Sequence, residues 1–97
     1  MILGTLVIFG TDAFVLIEPG SDRSYVSYGF LVHTDRELTP LSEPLRVHTP
    51  LGESLDMIEQ FQGCAVIVAG KELEADLILL EMKGLDAILG MDSLSRH

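Results

Sequence analysis

One acid at the end of an apolar run is the residue in this chain best placed to do chemistry. Phe14-Val15-Leu16-Ile17 leads straight into Glu18, and Pro19-Gly20 follows as a strong turn signal. A strand of the buried type would hold this carboxylate against the core, and the turn would aim it. Two readings are open at this point. The charge can be a strand end that escapes to solvent. It can also be a site, because carboxylates held beside apolar walls acquire shifted pKa values. Periodicity alone favours the solvated strand end.

Other chemistries find little support. His33, His48 and His97 have no short ligand spacing, and Cys64 stands alone, so no zinc site is expected. A serine nucleophile would want a Gly-x-Ser-x-Gly elbow, and the chain has none. Gly20-Ser21-Asp22 carries one glycine and an acid where a bound phosphate would sit, which argues against a phosphate cradle. No metal site is expected. His48, on an alternating segment, reads as a surface residue, and Met57, Met82 and Met91 read as core filler.

The elements that must position Glu18 come from a chain of 97 residues, enough for one small domain, 1–97. Apolar residues make up 47% of it, so a core can form, but a domain of this size is marginal alone and a second copy would help. The net charge of −9 and the scattering of the six basic residues argue against a nucleic-acid surface. No apolar run approaches the roughly 18 residues of a membrane span. Met1 to Phe9 is apolar but lacks a preceding basic residue and a small-residue cleavage pattern, so a secretory leader is not expected. A lone cysteine excludes an intramolecular disulfide and fits a reducing, cytoplasmic setting. Followed by Ala65-Val66-Ile67-Val68, Cys64 reads as a buried, inert thiol.

Short Val-, Ile-, Leu- and Phe-rich segments between frequent glycines predict an all-β sandwich or barrel. Strands are expected at Thr5–Phe9, Ala13–Glu18, Ser24–Ser27, Leu45–His48, Cys64–Ala69, Glu72–Leu79 and Ala87–Leu89, with one or two helical turns at Tyr28–His33. Residues 34–44, with Pro40 and Pro44 and several charges, read as loop. Thr49-Pro50-Leu51-Gly52 has the arrangement of a type I turn, and the alternation after it predicts a hairpin with Pro50-Leu51 at its tip. In Glu72–Leu79 the acids Glu72, Glu74 and Asp76 should face out, and Leu73, Ala75, Leu77 and Leu79 in. Met91–Ser95 could open a short helix, with Asp92 in its first turn.

The order of these parts is informative: an apolar strand, an acid-x-Gly turn, a Pro-Gly-tipped hairpin, then Ile-Leu-Gly before a short helix. With VLIEPGSDRSYVS (15–27), PLRVHTPLGES (44–54), ADLILLEM (75–82) and LDAILGMDSLSRH (85–97), the chain resembles the retropepsin-like aspartic proteases. Within them it looks most like the protease segment of plant gypsy-type LTR retrotransposon polyproteins. The resemblance covers residues 5–97.

It implies a small closed barrel with a flap hairpin and one short C-terminal helix, and only half of an enzyme. Two chains would pair as a homodimer, each contributing one Asp from an Asp-Ser/Thr-Gly turn. Like charges so close cannot both ionise, so the two carboxylates would share a proton. The ionised one would activate water and the other would polarise the carbonyl of a peptide or polyprotein substrate. No cofactor is implied, and no nucleic acid or membrane partner for this domain. Glu18 takes the place of the catalytic Asp, and Gly20 matches the family glycine. Ser21 falls where a small residue is usual. Asp22 falls where plant elements usually carry Thr and viral relatives often carry an acid that contacts substrate backbone. Thr49, Pro50, Leu51 and Gly52 would form the flap that closes over the peptide. Ile88, Leu89 and Gly90 would pack behind the turn. Ser93 stands where plant elements commonly have Trp. Members of the family it resembles usually continue past the position of Arg96-His97 into further polyprotein.

Two departures fall on the chemistry. Glu is one methylene longer than Asp, and a displacement of about 1 Å can cost roughly a hundredfold in rate. Pro19 has neither hydroxyl nor backbone N–H, so it cannot make the cross-chain hydrogen bonds that lock the family's paired turns. The resemblance therefore leaves two functions to separate: an aspartic endopeptidase, or a catalytically inactive module that keeps the dimer or the peptide groove. Weak or absent activity is the expectation.

Overall fold

The computed structural model describes residues 2–48, 52 and 54–90. Strand β1 (Ile2–Ile8) and strand β2 (Thr11–Ile17) pair along their whole length, from Ile2 opposite Ile17 to Ile8 opposite Thr11. Phe9 and Gly10 join them with φ of 55° and 72°, the left-handed pair that matches the twist of a two-residue hairpin. Strand β3 (Ser24–Ser27) is short and buried throughout, and a 3₁₀ helix (Tyr28–His33) follows it and sends Phe30 into the core. Strands β4 (Thr39–His48), β5 (Ser54–Val68), β6 (Lys71–Leu80) and β7 (Ala87–Leu89) complete the fold.

The strand order is β1-β2-β7-β3-β6-β5-β4, and β1 returns to β5 through Val7 opposite Ile67 and Ile8 opposite Val66. Six strands thus close into a barrel, and β4 lies outside it on the edge of β5. Most pairs are antiparallel, but β7 runs parallel to β2, and β3 runs parallel to β6. The last strand is therefore wedged between β2 and β3, the strands that flank the Glu18 turn.

The core has two faces. Ile8, Val15, Val26, Phe61, Leu77 and Leu89 fill the barrel. Leu16, Tyr25, Ile78, Leu80 and Ile88 form a second cluster, flanked by Leu45, Met82 and Leu85. Residues from both registers of β2, β3, β6 and β7 are therefore covered, as expected where a sheet is packed on both sides.

This double burial corrects the expected alternation of β6. Glu72 and Glu74 are exposed, but Leu77 to Leu80 are all buried and Leu73 and Asp76 are half-buried. Residues 34–44 are not wholly loop, because β4 begins at Thr39 and carries both prolines. As a strand outside the barrel it tolerates them, and its register shifts between Pro40 and Leu45. The hairpin arm and the segment from Cys64 are one continuous strand, β5, with an irregularity between Phe61 and Cys64. Phe14 is 43% exposed and does not join the core. The flap tip at Thr49, Pro50 and Leu51, the helix expected over residues 91–95 and Ser93 lie outside the described residues. So do the side chains of residues 55–58, where the hairpin alternation was expected.

Candidate active site

Strand β2 ends because Pro19 has no N–H with which to continue a ladder. At that end Glu18 is half-buried, and its own N–H donates to the Leu89 carbonyl at 2.9 Å. The chain then reverses: the Ser21 N–H donates to the Glu18 carbonyl at 3.0 Å, closing a four-residue turn. Inside this turn the Gly20 N–H donates to Glu18 Oε1 at 3.0 Å. The long side chain thus folds back over its own turn. Pro19 and Gly20 are exposed.

The far side of the turn is held by serines. Ser21 Oγ donates to the Arg23 carbonyl at 2.8 Å. Ser24 is fully buried, and its Oγ accepts the Gly90 N–H at 3.0 Å. Gly90 passes so close to the turn that a Cβ there would lie 2.5 Å from the Ser21 carbonyl oxygen and nearer still to that of Arg23. Ile88, Leu89 and Gly90 are buried directly behind the turn.

A groove of about 380 Å³ opens beside the turn, lined by Gly20, Ser21, Asp22, Arg23, Tyr25, Leu45 and Arg46. It is bounded on one side by the turn and on the other by β4, the first arm of the hairpin. Ser21 is half-buried and Asp22 exposed at its rim. A separate depression of about 260 Å³ between β5 and β6 is lined by Gly63, Ala65, Glu72, Leu73 and Glu74. It touches none of the turn residues.

The family model for retroviral aspartyl proteases matches residues 1–97. The chain belongs to that family. Among solved structures, the EIAV protease complexed with the inhibitor HBY-793 is similar, with a TM-score of 0.71 at 14% identity, over 93% of this chain and 81% of that one. The retroviral protease-like domain of Ddi1 from Leishmania major is similar with a TM-score of 0.64 at 17% identity, over 100% of this chain and 77% of that one. Both likenesses are of fold. No curated protein matches.

Within this retropepsin-like fold, Glu18, Gly20, Ser21 and Asp22 meet Ile88, Leu89 and Gly90 at one end of the barrel. Gly52, beyond the His48 end of β4, is exposed with φ of 88°; Thr49, Pro50 and Leu51 fall outside the described residues. Sequence reasoning missed Arg23, Leu45 and Arg46 as groove-lining residues and Ser24 as the partner of Gly90. A serine in a strand carries no sign of which main chain it will meet. Tyr25 is buried in the outer cluster and also borders the groove. The Arg36 guanidinium donates to the Gln62 carbonyl, tying the segment after the 3₁₀ helix to β5.

Cys64 lies away from this end and is fully buried. Burial pushes its thiol up to about 11, with Arg36 pulling down and Asp76 pushing up. A thiol held neutral in this way is not a nucleophile. Among the described residues, no three His, Cys, Asp or Glu side chains converge on a metal position. No helix among them is long and apolar enough to cross a membrane.

Proposed function

We propose that this chain is the aspartic endopeptidase domain of a plant gypsy-type retrotransposon polyprotein, working as a homodimer in which each copy contributes Glu18. The observation that carries the reading is the placement of this acid. It is half-buried at a strand end, backed by Ile88-Leu89-Gly90, and beside a groove whose other side is Leu45 and Arg46 of β4. In a pair, the two carboxylates would share one proton; the ionised one would activate water and the protonated one would polarise the scissile carbonyl. Gly20 supports the carboxylate through its N–H. Ser21 and Asp22 would meet the peptide from below, and Thr49, Pro50, Leu51 and Gly52 would close over it. Residues 1–97 would form one domain of a longer intracellular polyprotein.

Turnover by this copy is expected to be weak. The Glu18 carboxylate is committed to its own turn through Gly20, and Pro19 offers nothing to a partner's turn. Pro19 also favours the second reading, a catalytically inactive module that keeps the dimer and the peptide groove.

A peptide-library digest of the wild type beside Glu18→Asp and Glu18→Ala separates the two. It is run at about pH 4 to 6, where one of two close carboxylates keeps its proton. The endopeptidase reading expects slow cleavage by the wild type and none by Glu18→Ala. Cleavage by Glu18→Asp alone would establish the inactive module on an intact scaffold. No cleavage by wild type or Glu18→Asp sinks the endopeptidase, and a monomer by ultracentrifugation at high concentration counts against both readings.

A further inference from the structure

Asp86 stands immediately before β7, and three of its polar groups are engaged with main chain far away in sequence. Its Oδ2 accepts the Phe14 N–H at 2.7 Å. Its own N–H donates to the Phe14 carbonyl at 2.8 Å, and its carbonyl accepts the Ser27 N–H at 2.9 Å. Asp86 thus takes both polar groups of Phe14's main chain and joins β2 and β3 at the point where β7 enters between them.

We propose that Asp86 is a positioning residue for the active-site turn: its carboxylate fixes the register of β7 against β2 and so the height of Glu18. The ladder itself is too short to do this. β7 meets β2 over three pairs, Val15 with Ala87, Leu16 with Ile88 and Ile17 with Leu89. It meets β3 over two, Tyr25 with Ile88 and Val26 with Ala87. A slip of two residues would keep every side chain on its own face, so burial opposes it less than a slip of one. It would move the Leu89 carbonyl about 6.6 Å from the Glu18 N–H, at about 3.3 Å per residue. The ring that Asp86 makes with Phe14 exists in one register only. It brackets the ladder at one end, as the Glu18 N–H to Leu89 bond does at the other.

The carboxylate is the specific part, because any residue but proline at this position could offer the main-chain N–H. Phe14 is 43% exposed, so without the carboxylate its N–H can turn to water. Loss of Asp86 should therefore loosen the register more than it lowers overall stability. The bearing on catalysis rests on the reading of Glu18 given above, but the placement can be tested without turnover.

The test is amide hydrogen exchange by NMR on the full chain, comparing wild type, Asp86→Asn and Asp86→Ala. Asn keeps an accepting oxygen. In Asp86→Ala the Phe14 and Glu18 amides should exchange at least about tenfold faster relative to Val66 and Leu77, because local opening is raised above global opening. Asp86→Asn should stay close to wild type. Equal acceleration at all four amides, no acceleration, an unfolded Asp86→Ala, or an Asn variant as loose as the Ala variant would each overturn the proposal. On any peptide the wild type cleaves, Asp86→Ala should lower kcat and keep KM. If no peptide is cleaved, the endopeptidase reading falls and the exchange ratio alone decides the positioning role.

Discussion

Replacing Gly90 with Ala puts one methyl group where main chain already is. The new Cβ would lie 2.5 Å from the Ser21 carbonyl oxygen and 3.0 Å from the Arg23 carbonyl carbon. Carbon and carbonyl oxygen come no closer than about 3.3 Å in ordinary contacts, so the overlap is a sizeable fraction of an ångström. Neither neighbour is a side-chain tip that can swing away; both belong to the segment that closes the Glu18 turn. Overpacking of this kind costs about 1 to 3 kcal/mol. If β7 backs away, the buried Gly90 N–H also loses Ser24 Oγ, now 3.0 Å away, for about another 1 to 3 kcal/mol. A total of about 2 to 6 kcal/mol is a large share of the roughly 5 to 15 kcal/mol available to a domain. The assay is urea unfolding followed by circular dichroism, at fixed chain concentration because pairing would add stability. With a slope of about 1.5 kcal/mol per molar, the midpoint should fall by about 1.3 to 4 M. A Gly90→Ala midpoint within about 0.3 M of wild type, well inside what such a clash allows, would refute the close approach on which the packing of this turn depends.

Ser24→Ala removes the acceptor for Gly90, and leaving that buried N–H unpaired should cost about 1 to 3 kcal/mol by the same unfolding assay. Combined with Gly90→Ala it should add less than its own effect, since both act on one bond. Phe61, buried with its ring centroid 5.2 Å from that of Phe9, should cost about 3 to 5 kcal/mol when cut to Ala. For Cys64 the ordinary thiol value is 9.0 and the folded value about 11. The unfolded chain therefore gives up the proton first: stability is unaffected below pH 9.0 and falls as pH rises from there towards about 11. Unfolding midpoints across this range should show that alkaline decline, and Cys64→Ala should remove this part of it.

The barrel strands nearest the site were legible because local signals and tertiary packing agree there. Ser24–Ser27 and Ala87–Leu89 are the observed β3 and β7, and the 3₁₀ helix at Tyr28–His33 stands where a helical turn was expected. The start of β4 was hidden by Pro40 and Pro44, which argue for loop unless one knows that the strand lies outside the barrel. The unity of β5 was hidden by the irregularity between Phe61 and Cys64. The outward burial of Ile78 and Leu80 depends on Leu16, Tyr25 and Ile88, none of them near in sequence. At the site, Glu18 and the Ile88-Leu89-Gly90 segment announced themselves by residue type and order. Asp86 and Ser24 did not, because each acts on main chain 72 and 66 residues away.

The wedge of β7 between β2 and β3 also sets when the site can exist. A chain emerging from the ribosome can form the β1–β2 hairpin early, since its contacts are local. The Glu18 turn has no Leu89 carbonyl to bond, and β3 has no neighbour on that side, until residues 87–90 arrive. Assembly of the turn is therefore among the last events of folding, whatever the fate of the rest of the barrel. A carboxylate encoded near the start of the domain is therefore not set in place until residues 87–90, near its end, have been made.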